Sequence, residues 1–382
     1  MSLRDDLQAL VQDVGVHGPF VSLFMPVHPE DVTMEKDRAQ FKSLVSQAQT
    51  EFGERFPDAE WRPYGEKFAL ILAERQLISG TNTSMAIIAG PDRVYQYFMR
   101  LPLNPEVKIT ENLYVLPIIE NDQYNINYDL LALEKESFRV FSVHGHDVTE
   151  VDLPDKAPTK RSAAIGTELK NGSDLQRSSG TKGSSVFHGR DPKEEADRAD
   201  EERYFKMVDD WVRANISVPT HARVILMAVD EVQGEYRKIS KSGVLMDQPR
   251  VAKMPPKLTK DVLHDIAVDL EQELRTMANG QLQKALDDAR SGNRYSSATP
   301  DIARAAVEGR IDTLVVKRGA SAHGAIGFDH TVDRESEEAR ANNLLNDIAV
   351  VVLGYGGHVF VQGDDGFKDK EVAHAILRGR IG

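Results

Sequence analysis

Residues 181–190 read Thr-Lys-Gly-Ser-Ser-Val-Phe-His-Gly-Arg, a short run that holds several kinds of reactive group. Lys182 and Arg190 can meet phosphate, Arg190 with a planar fork of donors. Gly183 and Gly189 let a backbone approach a ligand closely. Phe187 can stack on a base, and His188 titrates near neutral pH. Beside Ser184 or a water, His188 has the makings of a general base for ester hydrolysis. Residue types alone leave open whether this run binds RNA, cuts an ester, or is a linker of incidental composition.

The run closes a longer segment, 155–190, that has little apolar periodicity and is rich in Gly, Ser, Thr and Lys. A loop of that length inside a compact domain is uncommon and usually functional or disordered. It carries Lys156, Lys160, Arg161, Lys170, Arg177, Lys182 and Arg190 against Asp155, Glu168 and Asp174, a local charge of +4 in a chain of net charge −13. An acidic chain of this kind is not a general nucleic-acid coat, because nonspecific binding rests on neutralised phosphates. It needs a focused positive patch to find RNA, and Lys170, Arg177, Lys182 and Arg190 are the candidates to supply it.

Other motifs have simpler readings. There is no G-x-x-x-x-G-K-[ST] and no G-x-G-x-x-G opening a helix after a strand. Gly354-Tyr355-Gly356-Gly357 reads as a helix stop and turn. Gly319-Ala320-Ser321-Ala322-His323 only faintly resembles a nucleophile elbow and reads as a surface loop. His144 and His146 flank a glycine, the pattern of a β-turn, and two imidazoles alone do not make a metal site. Glu194, Glu195, Glu201 and Glu202 read as a solvated helix face. With no cysteine there is neither disulfide, thiolate ligand nor thiol nucleophile, and no metal or cofactor is expected.

The elements that must carry the loop follow from periodicity. Before it come an amphipathic N-terminal helix (Leu3, Leu7, Leu10, Val11, Val14), an apolar strand at 20–25 and a helix through Phe41, Leu44, Ala48 and Phe52. Strands are expected at 85–89 and 94–101, another at 113–118 ending near Pro117, and then a meander at 130–134, 138–143 and 148–153. After it, Pro192 opens a helix whose buried face is Tyr204, Phe205, Val208, Trp211 and Val212. A strand at 224–229 and a short helix at 232–239 follow. Beyond Pro255-Pro256 lie a long helix, further helical pattern to about Ala289, and a helix at 299–308. A strand at 311–316, a helix through 341–352, a strand at 359–361 and a short helix around 372–377 complete the pattern. The fold class is α/β, with three consecutive modules at 1–127, 128–255 and 256–382. The N-terminus lacks the basic start and unbroken apolar stretch of a secretory signal, so a cytoplasmic protein away from the membrane is expected.

Taken in order, these segments resemble the bacterial branch of the archaeo-eukaryotic peptide-chain release factors, relatives of the rescue factor Pelota. Phe20-Val21-Ser22-Leu23-Phe24-Met25-Pro26 is similar to the family's V-S-L-Y-x-P opening strand. Ala86-Ile87-Ile88-Ala89, Tyr114-Val115-Leu116-Pro117, the 138–143 meander, Phe187-His188-Gly189 and the 224–229 strand continue the match. The resemblance implies a variable N-terminal domain, a central RNase H-like domain, and a C-terminal small α/β sandwich like the kink-turn-binding ribosomal proteins. In the family's true release factors a Gly-Gly-Gln loop of the central domain promotes peptidyl-tRNA hydrolysis, and 182–190 holds the equivalent place here. This chain departs from that pattern. Its only near match, Asn279-Gly280-Gln281, lies in the third module and reads as a turn between helical segments, and no Asn-Ile-Lys-Ser element for stop codons is present.

The resemblance therefore implies a ribosome-associated factor for rescue or hibernation that binds tRNA or ribosomal RNA. Lys170, Arg177, Lys182 and Arg190 would supply charge, Phe187 stacking, and Gly183 and Gly189 close approach. A hydrolase of peptidyl-tRNA or a related ester, with His188 and Ser184 catalytic, is the enzymatic alternative. A non-enzymatic adaptor binding protein through its C-terminal module is the third.

Overall fold

The computed structural model describes residues 11, 18–31, 33–74, 77, 82–123, 126–166, 192–217, 222–327, 329–368 and 370–380. They fall into two compact units: residues 126–277, and residues 1–125 together with 278–382.

The chain opens with β1 (Phe20–Pro26), followed by helices α1 (Glu35–Arg55) and α2 (Arg62–Ala73). Strands β2 (Ser84–Ala89), β3 (Val94–Met99) and β4 (Glu106–Thr110) complete an antiparallel sheet ordered β3-β2-β1-β4. Alternate residues of β1 serve two cores. Val21, Leu23 and Met25 pack with Phe41, Phe52 and Phe68 of α1 and α2, while Phe20 and Phe24 face the other way. Burial on both faces is why β1 reads as a mostly apolar run, with Ser22 its one polar residue, rather than an alternating one. A strand expected at 113–118 is instead helix α3 (Leu116–Asp122), with Pro117 in its first turn. There its missing N–H costs nothing, since first-turn amides have no partner within the helix. The neighbouring strand is β4, whose Glu-Val-Lys-Ile-Thr is too polar at alternate positions to stand out.

The second unit holds β5 (Asn127–Leu133), β6 (Phe138–His144) and β7 (Asp147–Glu150), the expected meander. Its turn places Gly145 at φ 58°, a left-handed conformation that glycine adopts without cost. Helix α4 (Arg161–Ile165) lies within the start of the basic segment 155–190, and α5 (Pro192–Val212) follows its end. Next come β8 (Arg223–Met227) and α6 (Asp230–Ile239). The sheet order is β7-β6-β5-β8, with β8 parallel to β5 and the other pairs antiparallel. Leu131 and Leu133 of β5 pack with Tyr204, Phe205 and Val208 of α5, and Tyr128 and Leu130 line the opposite face. Leu263, Ile266, Leu270 and Leu274 cover that face from α7 (Lys260–Ser291). α7 is one continuous helix, so Asn279-Gly280-Gln281 is helical and the expected turn is absent. Favourable neighbours outweigh a single glycine, which costs about 1 kcal/mol.

The C-terminal part returns to the first unit with β9 (Tyr295–Ser296), α8 (Thr299–Val307) and β10 (Ile311–Lys317). A small hairpin, β11 (Ala325–Ile326) and β12 (Val332–Asp333), precedes α9 (Glu337–Ala341) and α10 (Leu344–Gly354). The single helix expected through 341–352 is thus broken at Asn342-Asn343, where Asn343 caps α10 by accepting from the Leu345 amide at 3.2 Å. β13 (His358–Gln362) and β14 (Ala373–Leu377) give a mixed sheet ordered β13-β10-β14-β9. β14 replaces the helix expected at 372–377. Its five residues are all buried, and a short apolar run of that kind has no period to separate strand from helix. Leu314 and Val316 of β10 pack with α8 and α10, and Val315 meets Leu286 and Ala289 of α7. Phe20, Phe24 and α3 share the same core as Leu314, Leu344 and Ile348, so the first and last parts of the chain bury one apolar volume between them.

Candidate nucleic-acid interface

The basic segment is held at its start by main-chain bonds to the β5–β6 turn. Phe138 N–H donates to Thr159 O at 3.2 Å, Arg161 N–H donates to Glu136 O at 2.9 Å, and Lys160 bridges to Ser137. Arg161, counted in the local charge of the segment, has a structural task. It is only 7% exposed. Its guanidinium donates to Glu136 Oε1 at 2.8 Å, to the Asp197 carbonyl at 2.9 Å and to Asp197 Oδ1 at 2.5 Å. One side chain thereby ties the β5–β6 turn to the first turns of α5, across both ends of the basic segment. Both carboxylates lie on its exposed rim and hold Arg161 firmly protonated against the cost of its burial. Lys156 and Lys160 are exposed and stand at the same end.

Lys170, Arg177, Lys182, Gly183, Ser184, Phe187, His188, Gly189 and Arg190, the sequence-derived candidates, lie outside the described residues. What the structure supplies is their two attachment points, α4 and α5, joined by Arg161.

The acidic face of α5 divides. Glu194, Glu195 and Glu202 are exposed as expected, but Glu201 is buried. Burial holds its carboxyl above the usual range, and Glu235 and Glu231 push the same way against Lys135 and Arg161. Lys135 Nζ lies 3.8 Å from Glu201 and 2.9 Å from Glu231. Sequence could not separate Glu201 from its neighbours by composition. The signal was positional, since Glu201 falls on the α5 face of Tyr204, Phe205 and Val208.

His144 and His146 are parted by the turn. His144 Nδ1 lies 3.1 Å from Asn127 Oδ1, whereas His146 pairs with Glu271 and stands edge-on to His264 at 5.5 Å. Glu271 is also bound by Arg275. Among the described residues, no three His, Asp or Glu side chains are grouped to hold a metal ion.

Residues 126–273 match the family model described as bacterial archaeo-eukaryotic release factor family 6. The central segment of the chain is thus similar to that family. The match begins where the second unit begins, at Ile126, and runs into α7. Residues 155–190 and helices α4 and α5 therefore lie inside the matched segment. No curated protein matches the chain. Among solved structures, an archaeal translation termination factor, aRF1, is 14% identical over 99% of this chain and 99% of its own, with a TM-score of 0.25. Pelota of Archaeoglobus fulgidus is 11% identical over 78% of this chain and 80% of its own, at 0.30. The archaeal protein in a structure described as ribosome-bound Pelota and ABCE1 is 10% identical over 99% and 95%, at 0.38. These likenesses are distant, and the family match is confined to residues 126–273. No helix among the described residues is long and apolar enough to cross a membrane.

Proposed function

We propose that this protein is a cytoplasmic, ribosome-associated factor of the release and rescue type that binds tRNA or ribosomal RNA without Gly-Gly-Gln chemistry. The observation that carries the reading is the family 6 match over 126–273, with the +4 segment 155–190 inside it. A release factor works on the ribosome, and an acidic chain needs a focused cationic element to reach RNA. Lys170, Arg177, Lys182 and Arg190 fill that role in this reading, with Phe187 as stacking surface and Gly183 and Gly189 as points of close approach. The sheet order β7-β6-β5-β8, a meander extended by one parallel strand, supports an RNase H-like description of the central module. The layered sheet of β10, β13 and β14 between helices supports a C-terminal module of the kink-turn-binding type, which also offers a surface for a protein partner. The three-module scheme, 1–127, 128–255 and 256–382, goes with this reading.

The test is a sucrose gradient of lysate from growing and starved cells, run at low and moderate salt. Wild type should migrate with ribosomes, more weakly as salt rises. A variant with Lys170, Arg177, Lys182 and Arg190 changed to Glu should stay at the top. Wild type at the top in both growth states would overturn ribosome binding. Ribosome-free turnover of peptidyl-tRNA that disappears in His188→Ala would replace the binding role with the hydrolase.

A further inference from the structure

The first unit contains a cavity of about 740 Å3, within the range of roughly 300–1,000 Å3 usual for small-molecule sites. It lies among β4, the end of α1, the loop that follows β10, and the α9–α10 junction. That loop is Gly319-Ala320-Ser321-Ala322-His323, which the ribosome reading leaves without a task.

The lining is cationic in an acidic protein. Five cations, Arg55, Lys108, Lys317, Arg318 and Arg340, stand against three carboxylates, Glu51, Glu106 and Glu120. Three of the cations are matched: Lys108 to Glu106 at 2.9 Å, Arg318 to Glu120 at 2.5 Å, and Lys317 to Asp364 at 2.9 Å. Arg55 and Arg340 have no carboxylate partner among the described residues. Two guanidinium groups without a carboxylate partner in the lining of one cavity suit a doubly charged, multi-oxygen anion, which accepts their forked donors.

Neighbouring groups complete the recognition. His323 Nδ1 lies 2.8 Å from the Arg340 carbonyl, which only accepts, so Nδ1 carries the proton. Nε2 is then the ring's remaining polar site, not engaged by that bond. Ser321 adds a hydroxyl. Gly319, at φ 68°, has open space where a side chain would stand, so its backbone is bare to an incoming group. Tyr114 and Phe24 give the cavity an aromatic wall, their rings 5.8 Å apart and edge to face.

We propose that this cavity binds a small phosphate-bearing molecule, with Arg340 and Arg55 meeting its anionic group. The proposal stands on the first unit alone and does not depend on the ribosome reading. The test is isothermal titration of the full chain with inorganic phosphate, pyrophosphate and adenosine 5′-monophosphate. Wild type should bind pyrophosphate or the nucleotide saturably and more weakly as salt rises. The Arg55→Ala/Arg340→Ala variant should bind at least about tenfold more weakly, and Arg340→Glu should abolish binding, with thermal unfolding of both variants unchanged. Nucleotide binding ahead of pyrophosphate assigns a nucleoside-bearing ligand, and the reverse order assigns a bare diphosphate group. No saturable binding of any of the three, or an affinity unchanged in both variants, would overturn the proposal.

Discussion

Two side chains show how single residues set conditions for the fold. Asp347, at the start of α10, is almost fully buried. Its Oδ2 accepts from Ile326 N–H at 3.0 Å and Asn342 Nδ2 at 2.7 Å, while Oδ1 has no hydrogen-bond partner. Burial pushes the carboxyl up from 3.8 to about 6, against the pull of those donors. The folded state thus binds the proton more tightly than the unfolded chain. The stabilisation is fully present below the unfolded value and is lost as pH rises through about 6, amounting to about 3 kcal/mol. Asp347→Asn keeps an oxygen for both donors and removes the titration. Urea unfolding at pH 4.5 and 7 should show a smaller pH difference in the variant, and an undiminished one would refute this account. Arg161 acts by geometry instead. Arg161→Ala leaves Glu136 and Asp197 without their shared partner and opens the packing beneath. It should cost about 2 kcal/mol in the same measurement, and Arg161→Lys should restore only part of that, because a single ammonium cannot span three acceptors.

At the scale of elements, glycines separate helix from turn. Gly280 lies inside α7 with open space where a side chain would stand. Gly280→Ala should therefore raise stability by up to about 1 kcal/mol, seen as a higher melting temperature. A fall would mean that the Asn279-Gly280-Gln281 stretch is not helical. Gly309 is the opposite case. It ends α8 at φ 67°, and a side chain there would meet the Tyr355 ring at 3.1 Å. Gly309→Ala should destabilise by more than 1 kcal/mol. The same paired logic explains β14 and α3. Both are short and lack a distinguishing period, and what decided between strand and helix was β10 pairing with β14 in one case and the first-turn position of Pro117 in the other.

At the scale of the molecule, one apolar core joins residues more than 200 positions apart. Asn346 accepts from the Val115 amide at 2.9 Å and donates to Leu113 O at 2.8 Å, and Gln123 is bonded to Val361. Residues 126–277 instead close two cores of their own, on the two faces of one sheet. The fragment 126–277 should then unfold as a single cooperative transition, whereas a chain ending at 277 should leave 1–125 without its second core and bind hydrophobic dye. Circular dichroism melts and dye fluorescence on the two fragments measure this, and a folded, dye-silent 1–125 region would count against the shared core.

Sequence by itself determined the elements whose pattern is long or punctuated: α1 and α5 by their apolar stripes, the β5–β7 meander by its turn at Gly145, and the ends of α8 by Pro300 and Gly309. It also determined the family resemblance and the local charge of the basic segment, because order and composition are linear properties. Tertiary structure alone decided which members of a uniform-looking set have which task. Glu201 differs from Glu202 only in burial, and Arg161 is buried where its neighbour Lys160 is exposed, a difference that depends on what packs across from them. The cavity lining likewise takes Arg55 and Arg340 from distant parts of the chain, a grouping that the shared core imposes and no local spacing encodes.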